Sequence, residues 1–209
     1  MAAWWALSIS YWLTLAICLP ASIFLTRLFL IQHDCGHGAF FRSRKLNDWI
    51  GRTLGVITLT PYDIWRRSHT LTVREYYALP WRKRLAYRLY RHPLVMFGIG
   101  PAYMYLLRNR LPLGFRSEGP RYWFSAMGTN IVLAIAITAL IFALGLTPFL
   151  FVFLPTTILA ATIGIWLFYV QHQFEHTYWA KEEEWNLNDA ALYGSSHFDL
   201  PGILKWLTA

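Results

Sequence analysis

Charge is scarce in this 209-residue chain: only 14% of its residues are Asp, Glu, Lys or Arg, while 56% are hydrophobic and 18% aromatic. That balance excludes an ordinary soluble globule and a disordered, charge-rich segment. Cysteine is scarce too. Cys18 and Cys35 cannot make a disulfide framework, and a small buried side chain is the ordinary role of such a residue, although Cys35 could also be a soft metal ligand. The first residues have no basic cluster ahead of the apolar run, so a cleaved signal peptide is not expected and the first apolar segment should remain as an anchor. No internal repeat and no low-complexity tract is present.

What the chain does have is long apolar stretches. Trp4 to Ile31 carries one charge, Arg27, and Tyr122 to Phe174 carries none apart from His. The second stretch is too long for one crossing of about 20 residues and suits two, with Gly145-Leu146-Thr147-Pro148 as the turn. The expectation is one domain over 1–209, an all-α integral membrane protein with about three transmembrane helices near 4–31, 123–145 and 149–171. Interfacial helices should lie between them. Trp and Tyr cluster at the ends of these crossings, as interfacial anchors do.

The net charge of +8 could suggest a nucleic-acid partner, but its placement argues against one. Of 19 Lys and Arg, 16 lie between Arg42 and Arg121, and the turn at 145–148 has none. This is the positive-inside pattern, which puts 33–121 and 172–209 on the cytoplasmic side of a multi-pass protein. Within that region Trp81, Leu85 and Leu89 share one helical stripe among Arg and Lys. A basic amphipathic helix of this kind suits a membrane surface, with an acidic electron-donor protein as the alternative. Leu94 to Leu107 is apolar but short and reads as re-entrant or interfacial.

At the end of the first crossing stands His33-Asp34-Cys35-Gly36-His37. If the helix continues through it, the two imidazoles fall one turn apart on one face and can share a metal. Asp34 could accept the outer ring N–H of a histidine and fix its tautomer. His69 and His172 gain meaning as ligands only if they point to the same place. His92 and His197 have no spaced partner and read as interfacial side chains. His172-Gln173-Phe174-Glu175-His176 also has the H-x-x-E-H form of a zinc protease, in which Glu175 would be the general base. Such a site needs a further ligand, for which Glu182, Glu183 and Glu184 are undistinguished candidates.

Three segments together resemble the membrane fatty acid desaturases, closest to the acyl-lipid Δ12 (omega-6) type. His33 to Phe41 is similar to the family's first histidine box, Pro61 to His69 to the run into its second, and Trp166 to Trp179 to the segment leaving its last crossing. The resemblance implies O2-dependent introduction of a cis double bond into a fatty acyl chain at a histidine-bound diiron site. It implies a membrane lipid or fatty acyl substrate, and electrons from a ferredoxin or a cytochrome b5-like donor. Carried over residue by residue, the metal ligands fall on His33, His37, His69 and His172, whereas position 176 is usually acidic in the family. The chain departs from the pattern at the second box, H-x-x-H-H, where Thr72 and Val73 stand in place of histidines. Thr70 to Tyr76 resembles family sequence from further downstream, as if a piece were missing. The third box should follow Leu204–Ala209, and the family's N-terminal extension and one helix are not matched. Two outcomes are therefore expected, impaired desaturation or an inactive fragment or deletion product, with an intramembrane zinc protease built on His172, Glu175 and His176 as the remaining alternative.

Overall fold

The structure, a computed structural model, describes residues 2–67, 73–112, 119–172, 201–202 and 205. Among these the regular elements are all helical. A short α1 (Ala2–Ala6) precedes α2 (Tyr11–His37), so the first apolar segment does not form one helix from residue 4. The break lies at Leu7–Ser10, where Ser10 is extended at φ −160°. Helix α2 then runs unbroken through Pro20 and the whole histidine motif.

A polar-faced pair follows, α3 (Arg44–Ile57) and α4 (Tyr62–Arg67), then α5 (Val73–Ala78) and α6 (Trp81–Tyr90). The short apolar stretch forms a π-helical turn at Val95–Ile99 and α7 (Gly100–Leu106), with Gly100, Pro101 and Tyr105 buried. Helix α8 (Pro120–Leu144) opens on proline, whose fixed φ and missing N–H suit a first helical turn. Gly145, at φ 89°, ends α8 in a conformation that side chains resist. Then come α9 (Leu146–Pro148), a π-helical turn Phe149–Phe153 and α10 (Leu154–His172).

Among the described residues three stretches are long and apolar enough to cross a bilayer: Tyr11–His37, Pro120–Leu144 and Leu146–Val170. Many of their large side chains, such as Trp12, Phe142 and Trp166, are exposed, as a lipid-facing surface requires. Helices α2 and α10 pack through small and hydroxyl residues. Thr26 Oγ1 donates to the carbonyl of Ser22 at 2.9 Å and lies 3.2 Å from that of Ala160, and Gly164 faces Phe29. Close approach of this sort replaces the hydrophobic driving force that helices lack in lipid. A small core of Leu59, Tyr105, Leu133 and Ala161 joins the α3–α4 turn to α7, α8 and α10. Cys18 and Cys35 are both free and buried.

Candidate metal centre

Because α2 stays helical through Cys35 and Gly36, the rings of His33 and His37 lie on one face with centroids 4.6 Å apart. The helix stops directly afterward. Gly38 takes φ 76°, its N–H donates to the Cys35 carbonyl, and the N–H of Ala39 reaches back to that of Asp34. This pair of bonds is the Schellman closure, and glycine supplies its left-handed residue. His33 is largely enclosed, with 13% of its side chain exposed, while its neighbour Asp34 is 52% exposed. The Nδ1 of His33 lies 3.3 Å from Asp34 Oδ1.

A second segment is folded onto this motif from 26–32 residues away. The α3–α4 turn holds Leu59 at φ 57°, an unfavourable conformation for a branched side chain. Buried polar bonds hold it there. Thr58 Oγ1 donates to Gln32 Oε1 at 2.5 Å, Gln32 Nε2 donates to the Thr60 carbonyl at 3.2 Å, and Arg110 donates to the Leu59 carbonyl. Gln32, one residue before His33, is fully buried.

Helix α4 then lies against the end of α2. The Tyr62 hydroxyl donates to the Cys35 carbonyl at 2.8 Å and sits 3.2 Å from Asp48 Oδ1. Burial, and then the nearby Asp48 carboxylate, push the Tyr62 phenol well above its ordinary pKa, so it stays a neutral donor. Three glycines make the room. A side chain at Gly51 would run into the Tyr62 ring, one at Gly55 into the Thr60 carbonyl, and one at Gly36 would come 2.6 Å from Trp65 Cζ3.

As a result Trp65 packs edge-on against Phe29 at 5.6 Å and lies 5.3 Å from the His33 ring. From the other side, Phe168 of α10 approaches His33 at 6.3 Å. Asp63 secures the arrangement. Its carboxylate, 5% exposed, receives Arg52 of α3 at 3.2 Å and Arg121 of α8 at 2.6 Å. One buried anion thus ties α3, α4 and α8 together.

Of the residues singled out in the sequence, His33, His37 and Asp34 are brought together. His172 is the last residue of α10, one helical turn beyond Phe168, with only its backbone position described. His69, His176, His197, Glu175 and Glu182–Glu184 lie outside the described residues, as do Thr72 and the remainder of the H-x-x-E-H pattern. His92 is exposed, and its Nδ1 accepts the N–H of Leu94 at 3.3 Å, a local turn bond. Among the described residues no group of three or more His, Cys, Asp and Glu gathers to hold a metal. The donor set that is in place, two neighbouring imidazoles with a carboxylate on one ring, is chemically suited to iron and other imidazole-loving metals.

Sequence reasoning did not find Gln32, Tyr62, Asp63 or the role of Trp65. A partial signal existed in Gly51 and Gly55, which stand four apart on a short helix as small residues do where backbones meet.

These features define an all-α membrane protein with a paired-histidine motif at one end of its bundle. The chain belongs to the fatty acid desaturase family: the family model "Fatty acid desaturase" matches residues 10–209. It is similar to a fatty acid desaturase of Bacillus subtilis, with 40% identity over 227 positions covering 99% of this chain and 63% of that protein. It is also similar to an sn-1 oleoyl-lipid 12-desaturase of Anabaena variabilis, at 26% identity over 98% of this chain and 63% of that protein. A shorter match, 52% identical over 42 residues, covers 20% of this chain and 12% of an sn-1 acyl-lipid omega-3 desaturase (ferredoxin) of Synechocystis. The chain therefore spans under two thirds of the length of these relatives. The Bacillus match extends over more positions than this chain has residues, so stretches of that relative are skipped within it. No solved structure matches.

Proposed function

We propose that this chain carries part of the iron centre of a membrane acyl-lipid desaturase, with His33, His37, His69 and His172 as ligands and the site on the cytoplasmic side. The reaction would convert a CH2–CH2 unit of a fatty acyl chain to CH=CH. O2, two electrons and two protons would be consumed and two waters released. Bound iron would supply the O2-dependent oxidising chemistry that an unactivated chain requires. The electrons would come from a one-electron carrier such as a ferredoxin, in keeping with the name of the Synechocystis relative, or from a cytochrome b5-like protein.

The observation that carries the reading is the enclosed His33 beside His37. Donation of its Nδ1 proton to Asp34 would leave Nε2 as the metal-binding nitrogen and hold the ring in place. Trp65 and Phe168 would keep water from that ring, and each precedes a further candidate ligand, His69 or His172, by four residues. The cytoplasmic assignment is supported by the crowding of Lys and Arg between positions 42 and 121. Thr72 and Val73 support a second part of the proposal: turnover by this polypeptide alone is impaired or absent, because an under-liganded site holds metal weakly.

Two measurements test it. Purified protein should bind added iron weakly but measurably, with His33→Ala and His37→Ala each losing it and Asp34→Asn weakening it roughly 10- to 100-fold. Fatty-acid profiles of a host without its own desaturase should show little new double bond with this chain. Replacing Thr72 and Val73 together by histidine should raise iron retention. Iron retention unchanged in both His33→Ala and His37→Ala would overturn the site, and efficient desaturation by the unaltered chain would overturn the impairment.

A further inference from the structure

Helix α6 has an apolar stripe that nothing in the described structure covers. Trp81, Leu85 and Leu89 are 63%, 48% and 57% exposed, and no residue of α6 is buried. At 100° per residue these three side chains fall within an arc of about 80°, flanked by Arg82 on one edge and Arg88 on the other, with Lys83 opposite. No Asp or Glu occurs from Tyr76 to Ser117, so the stretch itself carries charge of one sign only.

The height of α6 along the bundle is fixed at its C-terminal end. Just past the helix, the Arg91 guanidinium lies 5.7 Å from the Tyr169 ring and 5.3 Å from the Tyr87 ring, and donates to the Tyr87 hydroxyl at 2.7 Å. Arg108 lies over Tyr90 at 5.8 Å. Tyr169 belongs to the last turn of the third apolar span, next to Phe168, which touches His33. So α6 leaves the bundle at the level where that span meets water, at the histidine end. Exposed Leu94 and Ile99, in the stretch that follows, continue the apolar surface.

We propose that α6 lies in the membrane–water boundary at the histidine end and binds anionic phospholipid, with Trp81, Leu85 and Leu89 immersed and the Arg and Lys side chains on the headgroups. The charge sign selects the lipid class. A zwitterionic headgroup gives a cationic segment little, whereas each cation near an anionic surface is worth roughly a fivefold preference. The aliphatic parts of Arg82 and Arg88, on the stripe's edges, can reach up to phosphate while the helix axis sits below it. This inference rests on the membrane fold and not on the iron site, so either can fail without the other.

The test uses the full chain reconstituted in bilayers of phosphatidylcholine with and without phosphatidylglycerol. A nitroxide placed at Leu85→Cys should relax with lipid-dissolved O2 rather than with an aqueous nickel chelate, and one at Lys83→Cys should do the reverse. The phosphatidylglycerol enrichment retained by the protein should fall about tenfold or more in R82Q/K83Q/R84Q/R88Q. It should persist in R82K/R84K/R88K, which keeps the charge and controls for folding. A label at 85 that stays in water with phosphatidylglycerol present would overturn the proposal. So would an unchanged lipid preference in the glutamine variant. Shielding of that label only on addition of an acidic soluble protein would overturn it as well, and would assign the stripe to protein docking.

Discussion

Replacing Gly36 by alanine should destabilise this protein, although in an ordinary helix the same change stabilises by up to about 1 kcal/mol. The new Cβ would come 2.6 Å from Trp65 Cζ3, where carbon atoms normally keep about 3.5–4.0 Å. Trp65 must then move by roughly 1 Å. It has little room, being held between Phe29 at 5.6 Å and His33 at 5.3 Å. Overpacking of this size costs about 1–3 kcal/mol, so the net effect is a loss of about 0–2 kcal/mol. That corresponds to a Tm lower by up to about 8 °C in a chain of this length. The decisive comparison is with Trp65→Ala, which removes the obstacle. In that background Gly36→Ala should raise Tm, giving a coupling of about 1–3 kcal/mol between positions 29 residues apart in sequence. Thermal unfolding of the four proteins in one detergent, with a chelator present throughout, measures it without any contribution from metal. If Gly36→Ala raises Tm equally with and without Trp65, the packing argument for how α4 meets the histidine motif is wrong.

Asp63→Asn should destabilise by about 1–3 kcal/mol, less than a fully buried ion pair would give because Arg52 and Arg121 are partly exposed. Arg121→Gln should then cost clearly less in the Asp63→Asn background than in the unaltered chain, as chemical unfolding would reveal. Tyr62→Phe should cost about 0.5–1.5 kcal/mol by removing one of the two donors to the Cys35 carbonyl, which keeps the Gly38 N–H. The Tyr62 phenol is held above the ordinary value near 10, so its neutral form is favoured in the fold. Its contribution is complete below pH 10 and is lost as pH rises through the higher folded pKa. Stability curves of the two proteins should therefore run parallel from pH 6 to 9 and converge above 10, and parallel curves throughout would refute the role given to the hydroxyl.

The family, the helical class and the candidate histidine pair were legible in the sequence because each is encoded locally. Apolar runs of crossing length need only composition to be recognised, and two residues four apart share a face in any helix that contains them. The closure of α2 at Gly38 is local too, since only the next residue and the preceding turn take part. The break at Leu7–Ser10 was not legible: no glycine or proline marks it, and the apolar run continues across it.

What surrounds the pair was decided by tertiary structure alone. Tyr62 finds the Cys35 carbonyl, Gln32 finds Thr58 and Thr60, and Trp65 finds His33 across separations of 26–32 residues, at which no periodicity operates. Gly36, Gly51 and Gly55 read as weak points in their helices until the side chains that fill their places are seen. Helical spacing suffices to put two imidazoles side by side. Enclosing one of them and fixing its surroundings takes a segment folded back from elsewhere, because a single helix cannot shield its own surface from water.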